Sequence, residues 1–283
     1  MRVKELFKFV SERHMVYSRR LAGQKKPWTR DVILQSYRFC NIYRELDKVT
    51  QWIAVNWREP HWGDPDLWFA MLVARKVNYI DSLKDIGYPV PWNAEKFKAA
   101  IARRLLRGEQ VEGGAYMITA GTGAQWIGKP KYIFLADAVF GPMWQERAKI
   151  RPTKQDTLAS FHGRLAEAGL TVGSFIAGQV VADIKYVRPL KDSPDFWSWA
   201  AMGPGSMRGL NRVIGTPVDQ KWNQDLWLER LQELAVLIAP LIKKAGMDRL
   251  HNQDLQNCLC EFDKYERVRL GEGRPRSLYN GRG

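Results

Sequence analysis

Cysteine and histidine are scarce in this chain, and what there is of them is badly placed for chemistry. Three cysteines (Cys40, Cys258, Cys260) and four histidines occur in 283 residues. One residue separates Cys258 from Cys260, too tight for a CxxC metal site, and there is no second pair. The sequence therefore excludes a disulfide framework and a structural zinc, no metal is expected, and a reduced compartment fits. No apolar run approaches the roughly 20 residues that span a bilayer. Met1 to Arg20 alternates charged and apolar residues and lacks the apolar stretch of a signal peptide. A soluble, cytoplasmic protein without a membrane partner is the expectation. Internal repeats, low-complexity tracts and a βαβ rhythm are missing as well.

Acidic residues are in deficit: 30 Asp and Glu stand against 44 Lys and Arg, a formal net charge of +14. That excess favours a polyanionic partner, nucleic acid first and an acidic membrane surface second. Hydrophobic residues make up 45%, which excludes wholesale disorder. Twelve Trp and ten Tyr serve a core, and some of their faces could stack on bases.

Helix signals follow one another along the chain. Thr29 can cap a helix from Arg30 to about Val55, with Phe39, Ile42, Leu46, Val49 and Ile53 at three- and four-residue steps. Asp64-Pro65 opens a helix to about Tyr79. Asn93 caps Ala94 to Arg107, stopped by Gly108. Thr153 with Asp156 begins a helix that Gly169 ends, and Gly173 to Tyr186 reads as a buried helix. Ser193-Pro194 starts a short helix to Gly203. Asn223 to Lys244 is long, with a kink or break at Pro240. The last helix runs from about Asn252 to Val268. Ala115–Thr119 and Lys131–Leu135 alone look strand-like. The expected layout is a lead-in over 1–26, a single helical catalytic domain over 27–270 and a basic surface tail over 271–283.

Several local patterns could carry chemistry. Gly123 to Lys129 has the spacing of the first part of a phosphate loop, but Pro130 stands where a magnesium-binding hydroxyl belongs. A flexible basic loop carrying Lys129 beside the substrate is the better reading, and no cofactor is expected. Segment 203–211 places Gly203, Gly205 and Ser206 in a tight turn between two helices. Its amides, the following helix N-terminus and Arg208 could grip a DNA phosphate; an ordinary Gly-Pro turn is the plain alternative. On helix 30–55, Arg38, Asn41 and Glu45 share a face, with Arg44 and Asp47 nearby. That cluster could hold a phosphate and a polar substrate, or form a solvated ion-paired face. Glu261 and Lys264 sit one turn apart and Asp263 points elsewhere; they form a base with a phosphate ligand or a helical ion pair. Asp183 lies in an apolar helix, so it is paired or functional.

The order of these segments resembles a known family. The residues are Tyr17-x-Arg19-Arg20, Pro27-Trp28-Thr29-x-Asp31, Tyr37-Arg38-Phe39-x-Asn41, Tyr43-Arg44-Glu45-x-Asp47 and Ala74-Arg75-x-x-Asn78. They continue with Phe175-x-Ala177-x-Gln179-x-x-x-Asp183, Gly203-Pro204-Gly205-x-x-Arg208-Gly209-Leu210 and Cys260-Glu261-Phe262-x-Lys264-Tyr265. This series is similar to the alpha-glutamyl/putrescinyl thymine pyrophosphorylases of bacteriophages, the amino acid:DNA transferases. A related helical module accompanies the hydroxymethyl-deoxyuridine DNA kinases; those carry a P-loop, which this chain lacks.

The resemblance implies an all-α fold akin to helix-hairpin-helix DNA glycosylases. It implies a phage-encoded transferase that replaces the phosphate of phosphorylated hydroxymethyluracil in double-stranded DNA with an amine. The donor would be a free amino acid, glycine favoured, or a polyamine. A DNA kinase is a candidate associate. Glu45, Asp263 and Asp183 are then the candidate bases and Lys264 a phosphate ligand. Arg38, Asn41, Arg44, Asp47, Asn78 and Glu261 would hold substrate. Gly203, Gly205, Ser206, Arg208 and Lys129 would hold DNA. A base-excision glycosylase and a DNA-binding scaffold that recruits other enzymes are the competing readings. No Lys follows the Gly-Pro-Gly turn to form a Schiff base and no four-Cys cluster is present, which argues against the glycosylase.

Overall fold

The computed structural model describes residues 1–113, 124–169, 172–275 and 278. Among them the chain is all-α. In chain order the helices are α1 (Val3–Leu21), α2 (Val32–Ser36), α3 (Lys48–Ile53), α4 (Leu67–Val77), α5 (Ile80–Ile86), α6 (Ala94–Leu106) and α7 (Lys131–Phe134). Then come α8 (Gly141–Gln145), α9 (Arg147–Ile150), α10 (Leu158–Glu167), α11 (Gly173–Ile184), α12 (Pro204–Ile214), α13 (Gln224–Lys244) and α14 (Asn252–Arg269). Widened π turns follow α3 and α7. Extended pairing among the described residues is limited to one antiparallel bridge between Tyr37 and Leu278.

The chain divides into two compact units. Residues 1–48 and 197–283 form the first, and 49–196 the second. In the first, α12 packs along α14, and α1 lies on α13 and α14. Leu6, Phe9 and Val10 of α1 meet Leu210, Trp227, Leu231, Leu259 and Phe262 in one apolar core. The expected lead-in thus carries a core helix, whose signal is the helical spacing of Leu6, Phe9, Val10 and Val16. In the second unit every residue of α4 is buried, and α11 packs against it. Phe69, Trp92, Phe97 and Phe140 form a chain of edge-on and tilted rings beside them.

Caps place several helices where the sequence puts them. The Asn93 side chain accepts from the Lys96 N–H, and that of Asn223 from the Leu226 N–H. Helix α13 runs through Pro240 without interruption; the proline stands on its exposed face. Three expectations fail. The helix over 30–55 breaks after Ser36, because the N–H groups of residues 40, 41 and 44 donate to side-chain carboxylates instead of to a helical ladder. The Cys40 N–H donates to Glu261, the Asn41 N–H to Asp47 and the Arg44 N–H to Asp254. Its cap is Asp31, not Thr29. Lys131–Leu135 is helical and not a strand, since buried Phe134, Leu135, Val139 and Phe140 continue at helical spacing. Residues 194–198 form turns instead of a helix. There Asp195 turns its carboxylate onto the Leu158 and Ala159 N–H groups and caps α10. The Gly203 turn therefore does not join two helices, and the glycosylase-like hairpin is not formed at that point. Ala115–Thr119 lies outside the described residues.

Candidate functional site

Helix α14 organises the polar side chains of the first unit. From its first turn, Asp254 accepts the Arg44 N–H at 3.0 Å and lies 3.0 Å from His251 Nδ1. One turn on, Asn257 donates to the Asn41 carbonyl. Glu261 accepts the Cys40 N–H at 2.8 Å and pairs with Lys264 at 2.6 Å. The Lys264 ammonium also stands 4.8 Å from the Phe39 ring centre. These contacts fix the stretch 37–47 against α14.

Within that stretch Asn41 is a buried hub. Its N–H donates to Asp47, its Nδ2 to the Leu46 carbonyl, and its Oδ1 accepts from Arg13. Burial pushes the Asp47 carboxyl above its usual range, against the Asn41 N–H and the Arg44 and Arg13 charges that favour the anion. Glu45 sits on the short turn Arg44–Leu46 and Arg38 is exposed. Arg38, Asn41 and Glu45 share no helical face, because the helix that would align them ends at Ser36.

A second cluster forms where α12 crosses α14. Asp263 is fully buried. Its Oδ2 accepts from Arg208 Nε and its Oδ1 from Arg212 Nε, both at 2.9 Å. Arg267 Nε stands 3.4 Å from the same Oδ2, and Arg212 also pairs with Glu272. Glycines permit the close crossing. A Cβ on Gly209 would collide with the Leu259 backbone, and one on Gly205 would fall 3.0 Å from Cys260 Sγ. The Ser206 hydroxyl accepts the Gly203 N–H and donates to the Gly203 carbonyl, both at 3.0 Å, so it caps α12.

The second unit holds the remaining candidates. Asp183 receives Arg75 in a two-pronged pair, with Nε to Oδ2 at 2.6 Å and Nη2 to Oδ1. Arg75 also donates to Thr50, and Arg58 donates to the Asp183 carbonyl. Asp183 is therefore buried and paired, one of the two states expected of a carboxylate in its apolar helix. Asn78 ends α4 in the left-handed region at φ 47°, with its Oδ1 buried and without a hydrogen-bond partner among the described residues. Lys129 is exposed, its ammonium 5.2 Å from the Trp126 ring centre. Gly123, which opens the phosphate-loop spacing, lies outside the described residues.

The structure thus brings Glu45, Arg44, Asn41, Asp47, Glu261 and Lys264 to one side of the α14 network and Arg208 and Asp263 to another. Asn78, Asp183 and Lys129 belong to the other unit. Sequence reasoning missed Arg13, Arg212, Asp254 and Arg267. The signal for two of them was present: Arg208 with Arg212, and Asp263 with Arg267, are pairs four residues apart on helices. Among the described residues, no three His, Cys, Asp or Glu side chains gather as a metal site would require. No helix among the described residues is long and apolar enough to cross a membrane.

The described residues are all-α, the net charge is +14, and guanidiniums gather where α12 crosses α14. Comparison with known proteins names the family. The profile described as "5-hmdU DNA kinase, helical domain" matches residues 1–274, and the chain belongs to that family. A 5-hmdU DNA kinase of Bacillus phage SP10 is 25% identical over 300 aligned positions, covering 90% of this chain and 43% of that protein. The chain thus spans less than half the length of this curated relative. No solved structure matches.

This family membership corrects the resemblance to the pyrophosphorylases. The family is that of a kinase, which adds a phosphate, and not that of an amine transferase, which removes one. The amine-transfer reaction for which Glu45, Asp183, Asp263 and Lys264 were candidates is overturned with it. A family of kinases also stands against the glycosylase reading, which breaks a glycosidic bond.

Proposed function

We propose that this chain is the DNA-engaging helical part of an enzyme that phosphorylates 5-hydroxymethyl-deoxyuridine in DNA. The observation that carries the reading is the family match over residues 1–274. The charge of +14 supports it, since a duplex presents a dense row of phosphates. Phosphoryl transfer is mostly positioning and electrostatics. The hydroxymethyl oxygen must be held in line with the γ-phosphorus of a nucleoside triphosphate, and its proton must pass to a base. Holding the DNA is the share that a basic helical module can supply. Pro130 follows Lys129, so this loop offers no hydroxyl to nucleotide-bound magnesium. A nucleoside triphosphate is then expected to be held elsewhere than at this loop.

A competition assay tests the reading. The Bacillus phage SP10 kinase acts on hydroxymethyl-deoxyuridine DNA, and 5-phosphomethyl-deoxyuridine is followed by nucleoside mass spectrometry. Added in excess, the chain sequesters the DNA and slows product formation. Extra hydroxymethyl-deoxyuridine DNA restores the rate and extra ATP does not. An unchanged rate, or rescue by ATP, contradicts the reading. Phosphorylation by this chain alone contradicts the division of labour.

A further inference from the structure

Three guanidiniums converge on one carboxylate where α12 crosses α14. Asp263 is fully buried and Arg212 nearly so, whereas Arg208 and Arg267 are each about one third exposed. Arg208 gives its Nε to Asp263, and no described residue accepts a hydrogen bond from its Nη atoms. Arg267 Nε is buried and makes no hydrogen bond among the described residues. Both approach the same Oδ2, at 2.9 and 3.4 Å, so their Nε atoms lie no further apart than those two lengths laid end to end. Three positive charges face one negative, and Glu272 on Arg212 still leaves an excess of one. Long cationic side chains held this close repel one another. Asp263 holds Arg208 by a hydrogen bond and Arg267 by charge alone.

The geometry points to a phosphate fork: Arg208 and Arg267 donate their Nη edges to the non-bridging oxygens of one DNA backbone phosphodiester. Asp263 and Arg212 are positioning residues that hold the fork open. A phosphodiester matches on two counts. It is anionic, and its two terminal oxygens suit paired guanidinium edges. A lysine at either position would keep the charge and lose the planar edge. The assignment rests on the proposed DNA-engaging role and adds to it the residues that grip the backbone.

Fluorescence anisotropy with a labelled duplex, between about 50 and 200 mM salt, tests it. Arg208→Ala/Arg267→Ala weakens binding about tenfold and lowers the salt slope by about one, because both arginines serve one phosphate. Each single variant gives most of that loss. Arg208→Lys/Arg267→Lys keeps the slope and still weakens binding; it also reads the fork if the alanine pair fails to fold. A wild-type chain without DNA affinity overturns the proposed function and the fork with it. Wild-type binding with an unchanged slope in the double variant overturns the fork alone. A slope reduced by two means separate phosphates and no fork. Loss of ATP binding with DNA binding intact assigns the cluster to a triphosphate and overturns it as well.

Discussion

Gly209 lies so close to Leu259 that a methyl group on its α-carbon would collide with the Leu259 carbonyl. This contact sets how near α12 can come to α14, and so whether Arg208 and Arg212 can reach Asp263. Gly209→Ala forces backbone apart and is expected to cost about 3 kcal/mol in denaturant unfolding. Gly205→Ala meets the Cys260 sulfur, the end of a side chain that can turn aside, and is expected to cost less. Equal losses at the two positions would show that the crossing does not depend on Gly209.

Arg75 and Asp183 form a sealed ion pair inside the second unit. Asp183→Asn leaves the guanidinium buried without its counter-charge, and a loss of about 3–5 kcal/mol is expected from chemical denaturation. Replacing both, as Arg75→Met/Asp183→Leu, removes the stranded charge and recovers most of that loss. A double variant no more stable than Asp183→Asn would mean that the pair does more than neutralise itself.

Legibility from sequence tracked how local the deciding interaction was. Helices α6 and α13 were readable because Asn93 and Asn223 cap them within three residues. The stretch 37–47 was not, because its backbone is held by Asp254 and Glu261, more than 200 positions away. The helix expected after Ser193 fails for a similar reason, since Asp195 serves α10. For the site, a paired Asp183 was one of the two readings open to a carboxylate set in an apolar helix. The Asp263 cluster did not follow, because it needs the crossing of two helices. The reaction itself was misread: the same basic helical pattern suits an enzyme that adds the phosphate and one that removes it.

Asp156 supplies a pH test. Burial would raise its pKa, but the Arg164 fork, the Thr153 N–H and hydroxyl and the Ser160 hydroxyl outweigh burial and hold it well below the carboxylate range. The unfolded chain, with Asp near about 3.9, takes up the proton first as pH falls. The stability from this site is therefore complete above about pH 5 and declines below about pH 4. The stability gap between wild type and Asp156→Asn, from denaturation at several pH values, should be widest at neutral pH and close on acidification. A gap that widens on acidification would contradict the sign.

We propose that these helices engage DNA that carries hydroxymethyl-deoxyuridine. Equilibrium binding of the purified chain to two duplexes, identical but for hydroxymethyl-deoxyuridine in place of thymidine, tests it across a salt series. Both duplexes are expected to bind, with affinity falling at least tenfold between about 50 and 200 mM salt and the hydroxymethylated duplex bound more tightly throughout. No binding to either duplex, or an affinity indifferent to salt, would contradict it.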